Sequence, residues 1–91
     1  MNRVEAISYT YSFTPFSLRK FRKLPRAIQK RIFIKLQQYL ETGNPILFAH
    51  KMSPPQSNLF RYRIGDYRVI VSAENSLITI HDVGHRQEIY Q

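Results

Sequence analysis

Apolar residues recur along the chain with two different periods, and the change of period divides it into elements. The opening segment VEAISYTYSF mixes Val, Ile, Tyr, Phe and Thr, residues that suit a pleated, half-buried surface, and predicts a first strand near residues 4–12. In TPFSLRKFRKL, Thr14 can cap a helix, Pro15 fits its first turn, and Leu18 and Phe21 fall three apart, so a short helix runs to about residue 23. Pro25 then restarts a helix. Leu24, Ile28, Ile32, Leu36 and Leu40 recur every fourth residue, with Phe33 and Tyr39 widening the stripe. Gly43 and the pair Asn44-Pro45, which does not continue a helix, end it. The stretch from Pro45 to Asn58, with three prolines, reads as a loop. Beyond it the period shortens to two, predicting strands at about 59–64, 66–73 and 77–83, joined by turns at Gly65-Asp66 and Glu74-Asn75-Ser76.

The order strand, helix, helix and a meander of three strands predicts an α+β domain (β-α-α-β-β-β) spanning residues 1–91, with the two N-terminal helices packed on one face of a small antiparallel sheet. The other face of the sheet is then open. Alternation along a strand sends Phe60, Tyr62 and Ile64 toward the core and Arg61 and Arg63 away from it. On the next strand, Tyr67, Val69 and Val71 share one face and Arg68 and Ile70 the other, so a core built on the first three places Arg68 with Arg61 and Arg63.

The charge balance turns this face into a candidate site. Fourteen Lys and Arg stand against six Asp and Glu, a formal charge of +8. Such an excess fits a polyanionic partner, nucleic acid or an acidic protein, although anionic membranes attract the same surface. The absence of cysteine excludes a disulfide framework or a thiolate zinc site and is compatible with the cytoplasm. No stretch approaches the roughly 20 apolar residues of a membrane span, and the opening residues lack the apolar core of a signal peptide.

Like-charged guanidiniums on adjacent strands repel one another, so the arginine cluster is better suited to receiving phosphate than to stabilising a fold; the same spacing also fits a solvated charged face. The last strand runs into DVGHRQEIYQ, where Gly84 permits a bend and His85, Arg86 and Tyr90 follow. A group that titrates near neutrality, a bidentate phosphate ligand and a ring that can stack on a base suit phosphodiester cleavage. A surface histidine and a tyrosine that packs the terminus are the structural alternative. The segment KFRKLPRAIQKR, with Arg19 just before it, adds Lys20, Arg22, Lys23, Arg26, Lys30 and Arg31, candidates for RNA or ribosome backbone contacts or a solvated helix face. His50 and His81 offer no ligand spacing with a second His or Cys, so the pattern predicts no metal site.

With FRYRIGDYRVIV and VGHRQEIY in this order of elements, the chain resembles the RelE branch of the RelE/ParE toxins of bacterial toxin-antitoxin pairs, over essentially its whole length. The resemblance implies a fold like that of microbial ribonucleases and a metal-independent, cofactor-free endoribonuclease. Such an enzyme enters the ribosomal A site and cuts messenger RNA by attack of the 2′-hydroxyl on the adjacent phosphate, leaving a 2′,3′-cyclic phosphate and a 5′-hydroxyl. It implies a basic pair at Arg61 and Arg63, a phosphate ligand at Arg68, support for the phosphate and leaving oxygen from Arg86, and base stacking or proton transfer by Tyr90. It also implies a cognate antitoxin of the RelB kind, carrying an acidic or amphipathic segment over the basic surface and helices. Some relatives have lysines at the positions of Arg61 and Arg63, where a lysine can deprotonate; arginine does not, which leaves proton removal to Tyr90 or His85. Some relatives also continue into a helix beyond the tyrosine. ParE toxins, which share the topology but block DNA gyrase without cutting RNA, are the alternative the resemblance carries.

Overall fold

The computed structural model describes residues 8–56 and 58–89. The elements are β1 (Thr10–Phe13), α1 (Pro15–Arg22), α2 (Arg26–Glu41), a 3-10 turn (Pro45–Phe48), β2 (His50–Lys51), β3 (Phe60–Ile64), β4 (Tyr67–Glu74), β5 (Leu77–His85) and α3 (Arg86–Ile89). They build a five-stranded sheet in the order β1-β5-β4-β3-β2, with helices packed against it. The expected α+β architecture is present, with three differences in detail. The sheet is mixed, because β1 runs parallel to β5 while the other neighbours are antiparallel. The expected first strand survives as Thr10–Phe13; Ser8 and Tyr9 are not in it, and residues 4–7 lie outside the described residues. The proline-rich loop contains a 3-10 turn and the two-residue strand β2.

Chain geometry explains how α1 begins. The Thr14 hydroxyl accepts the Ser17 amide at 3.1 Å, capping the helix, and Pro15 occupies its first turn. The fully buried Ser17 donates its hydroxyl to the Ile80 carbonyl at 2.7 Å, and the Thr14 amide reaches the same carbonyl at 3.1 Å. β1 therefore borders the first half of β5, and α1 continues beside the strand where β1 stops.

The core lies between α2 and one face of the sheet: Ile32, Leu36 and Tyr39 meet Tyr62, Ile64, Val69, Val71, Ile78, Ile80 and Val83. Leu24 and Ile28 pack on its margin, as the helical stripe predicts. Phe33 does not; it is 60% exposed, because the sheet accepts only the stripe centred on Ile32 and Leu36.

Tyr62, with no exposed surface, is the hub of the core. Its ring stacks on Tyr39 at 4.8 Å, and Tyr39 stacks in turn on Phe48 at 5.0 Å. The single hydroxyl proton of Tyr62 goes to the Pro45 carbonyl at 2.8 Å, so at the 3.2 Å contact with Tyr11 the Tyr11 hydroxyl donates. Burial pushes the Tyr62 phenol far above its ordinary range, and burial raises Tyr11 and Tyr39 as well. Because Arg61 and Arg63 flank Tyr62 in sequence, this anchor fixes the strand that displays them.

Candidate phosphate-binding face

Register settles which side chains share the face away from α2. Arg63 pairs with Arg68, which pairs with Gly84; one step along, Arg61 pairs with Ile70, which pairs with Asp82. Val69, Val71 and Val83 belong to the core, so these alternating neighbours lie on the opposite side of the sheet. The structure thus brings together Arg61, Arg63 and Arg68, as expected. Arg63 is exposed and Arg61 half-buried.

Arg68 departs from the expectation of a solvent-facing ligand: it is only 6% exposed. Its Nη1 donates to the Gly65 and Tyr67 carbonyls, both at 2.9 Å, while its buried Nε has no acceptor among the described residues. The guanidinium is therefore half committed to the β3-β4 turn. That turn is held from two other directions. The Arg86 amide donates to the Asp66 carbonyl at 2.8 Å, with its guanidinium Nε 3.7 Å from the Asp66 carboxylate, and Arg31 from α2 lies against Gly65. Gly65 has φ +62°, the left-handed region a side chain disfavours.

Gly84 lies at the end of β5, just before the chain turns into α3. A Cβ there would meet Ile89 and Glu88 at 3.6 Å, so the short helix α3 lies over the Arg68-Gly84 row. The face expected to be open is covered at this end. Arg86 begins α3 with its side chain largely exposed at the rim of the face. Tyr90 lies outside the described residues.

His85 is set apart from the arginine pair. It pairs with Tyr67, on the core parity of the strand, and its ring meets Tyr67 edge-on at 5.5 Å. Its Nδ1 accepts the Gln87 amide at 3.2 Å, so the neutral ring carries its hydrogen on Nε2 and offers no spare lone pair. The two histidines that lack ligand spacing in the sequence lie on the arginine face. β2 places His50 directly across from Arg61. His81, at the register shift in β5, holds the Ser72 hydroxyl with its Nε2 at 2.7 Å. A short strand inside a proline-rich loop carries no periodic signal, so nothing in the sequence pattern sets His50 beside the arginines.

Of the basic residues on and around the helices, Arg19, Arg22, Lys23, Arg26, Lys30 and Arg31 are exposed. Lys20 is not a spare cation: it is paired with Asp82 at 2.5 Å. An apolar cavity of about 330 Å³ opens between β1 and the helices, lined by Tyr11, Phe13, Phe21, Phe33, Leu36 and Leu40. Among the described residues no cluster of His, Cys, Asp and Glu could hold a metal ion, and no helix is long and apolar enough to cross a membrane.

A small mixed sheet with a basic face, backed by a helical pair, defines the class as an α+β domain, and comparison with known proteins assigns its family. Residues 11–90 match the family described as ParE toxin of type II toxin-antitoxin system, parDE. The chain belongs to this family, within the RelE/ParE toxins of type II toxin-antitoxin systems. Its fold is similar to that of the RelBE2 toxin-antitoxin complex of Mycobacterium tuberculosis, with TM-score 0.77 and 23% identity over 88% of this chain and 100% of that one. The isolated E. coli RelE toxin superposes with TM-score 0.67 and 20% identity, covering 90% of each chain. An archaeal RelE-RelB complex from Pyrococcus horikoshii gives TM-score 0.61 and 25% identity over 87% of this chain and 96% of that one. No curated protein sequence matches the chain.

Proposed function

We propose that this toxin is a ribosome-dependent endoribonuclease that cleaves messenger RNA in the A site and thereby stops translation in the cytoplasm. The observation that carries the reading is the convergence of Arg61, Arg63 and Arg68 on one sheet face by strand register, with Arg86 at its rim. Guanidiniums at that spacing suit a phosphodiester and the extra negative charge it gains in the transition state. The buried, unmatched Nε of Arg68 supports the same view, since a phosphate oxygen is a partner that would satisfy it. Arg86 stands at the margin to support the phosphate and the leaving oxygen, with Tyr90 as the candidate for stacking on a codon base. The exposed Arg19, Arg22, Lys23, Arg26, Lys30 and Arg31 suit ribosomal RNA backbone. In this reading the ribosome presents and orients the messenger.

A cognate antitoxin of the RelB kind completes the reading. The apolar cavity, with Arg26 and Lys30 beside Phe33 on α2, suits an amphipathic segment with acidic flanks, and complementary charge speeds its association.

The test is to incubate the purified toxin with ribosomes carrying a defined messenger and a filled P site, beside the same RNA free in solution. Cleavage within the A-site codon, leaving a cyclic phosphate and weakened by about 100-fold in Arg63→Ala, is expected. The second reading, inhibition of DNA gyrase by protein contact, is favoured by the description of the matching family as ParE. Intact RNA in both samples together with loss of supercoiling activity would establish it instead.

A further inference from the structure

Arginine does not give up its proton, so neither Arg61 nor Arg63 can act as a base on the face they share, and the register of the shortest strand supplies a group that can. We infer that His50, on β2, is the catalytic base that removes the 2′-hydroxyl proton. The inference rests on the nuclease reading above and names a residue within that site.

The placement follows from pairing. His50 and Arg61 are direct partners across β2 and β3, so their side chains leave the same face of the sheet with Cβ atoms about 5 Å apart. A guanidinium at one position can hold a phosphate while the imidazole at the other meets the adjacent 2′-hydroxyl. β2 is the edge of the sheet, and His50 is exposed, so RNA approaches it without displacing protein.

The other two histidines are less suited. His85 lies on the far parity with Nδ1 occupied by the Gln87 amide, and His81 is tied to Ser72 at the register shift on β5. Neither ring nitrogen of His50 is engaged by another described residue. The charged groups facing His50 are Arg61 directly opposite and Arg63 on the diagonal of β3; Lys51, its neighbour in β2, leaves from the other face. The two arginines favour the approach of a phosphate to the imidazole.

The step balances as follows. An imidazole nitrogen of His50 takes the proton as the 2′-oxygen forms its bond to phosphorus. The bond from phosphorus to the 5′-oxygen breaks, and that oxygen takes a proton from water. The products are the 2′,3′-cyclic phosphate and the 5′-hydroxyl, and His50 returns its proton to solvent.

The experiment compares wild type, His50→Gln and His50→Ala in single-turnover cleavage of ribosome-bound messenger, across pH and with added imidazole. General base catalysis predicts a fall of about 100-fold or more in His50→Gln, with ribosome affinity unchanged. The wild-type rate rises with pH through the range in which histidine titrates, and the variant loses that limb. Imidazole restores cleavage by His50→Ala and does nothing for Arg61→Ala. A His50→Gln rate within about threefold of wild type and with the same pH profile overturns the assignment while leaving the nuclease intact. A slow variant that keeps the pH limb and ignores imidazole also overturns it, leaving His50 a positioning role. Wild type that leaves ribosome-bound messenger uncut removes the nuclease reading and this inference together.

Discussion

Replacing Tyr62 with phenylalanine isolates the polar part of the core. The substitution keeps the ring and its 4.8 Å stack on Tyr39 and removes one oxygen. That oxygen makes two contacts: it donates to the Pro45 carbonyl at 2.8 Å and accepts from Tyr11 at 3.2 Å. The Tyr11 hydroxyl is only part-buried and can turn to water. Pro45 is fully buried, so water cannot replace the lost donor, and the stranded carbonyl costs about 1–3 kcal/mol. Taking about 2 kcal/mol, the midpoint of thermal unfolding of a domain this size falls by about 8–16 °C. Circular dichroism of the purified toxin reads it directly. Tyr11→Phe in the Tyr62→Phe background then adds little, because the partner of that hydroxyl is already gone. A drop below about 2 °C for Tyr62→Phe would refute the hydrogen-bonded hub and reduce Tyr62 to packing alone.

Two further outcomes follow from the same geometry. Because Tyr62 and Tyr11 have phenols raised above their ordinary value near 10, both states hold the proton below that pH, whereas above it the unfolded chain ionises first. Stability is then flat up to about pH 10 and falls with rising pH by about 1.4 kcal/mol per unit for each such tyrosine, measurable as a declining urea midpoint; a midpoint constant above pH 10 would contradict the burial. Gly65→Ala forces a side chain into φ +62°, which costs about 1–2 kcal/mol, while the Arg31 guanidinium, the end of a flexible side chain, moves aside; an unchanged midpoint in urea would show that the turn relaxes without strain.

Much of this architecture is legible in the chain because its long elements are strongly periodic. The fourfold spacing from Leu24 to Leu40 marks α2, and the alternation through Phe60, Tyr62 and Ile64 is enough by itself to send Arg61 and Arg63 to one side. What the pattern does not carry depends on contacts between distant segments. Pairing of β1 with β5 leaves no local trace, so the parallel register is invisible in the sequence. The exposure of Phe33 depends on how wide a face the sheet presents, and the burial of Arg68 on α3 covering Gly84. His50 shows the same limit at the site itself: two residues of strand have no period, and only the partner strand tells which face they share.

The position of β1 also orders events during synthesis. Its partner β5 is the last of the described strands to be made, and the Ser17 hydroxyl meets the Ile80 carbonyl across 63 positions of sequence. The β1 edge of the sheet therefore closes only after β5 has been made, a long loop closure that slows folding. Until then β1 has no partner, while β3 and β4, adjacent in sequence, can already pair and bring Arg63 across from Arg68. Among the described elements the β1-β5 pairing is thus the last to close, whereas the β3-β4 pair that carries Arg61, Arg63 and Arg68 forms between neighbours in sequence.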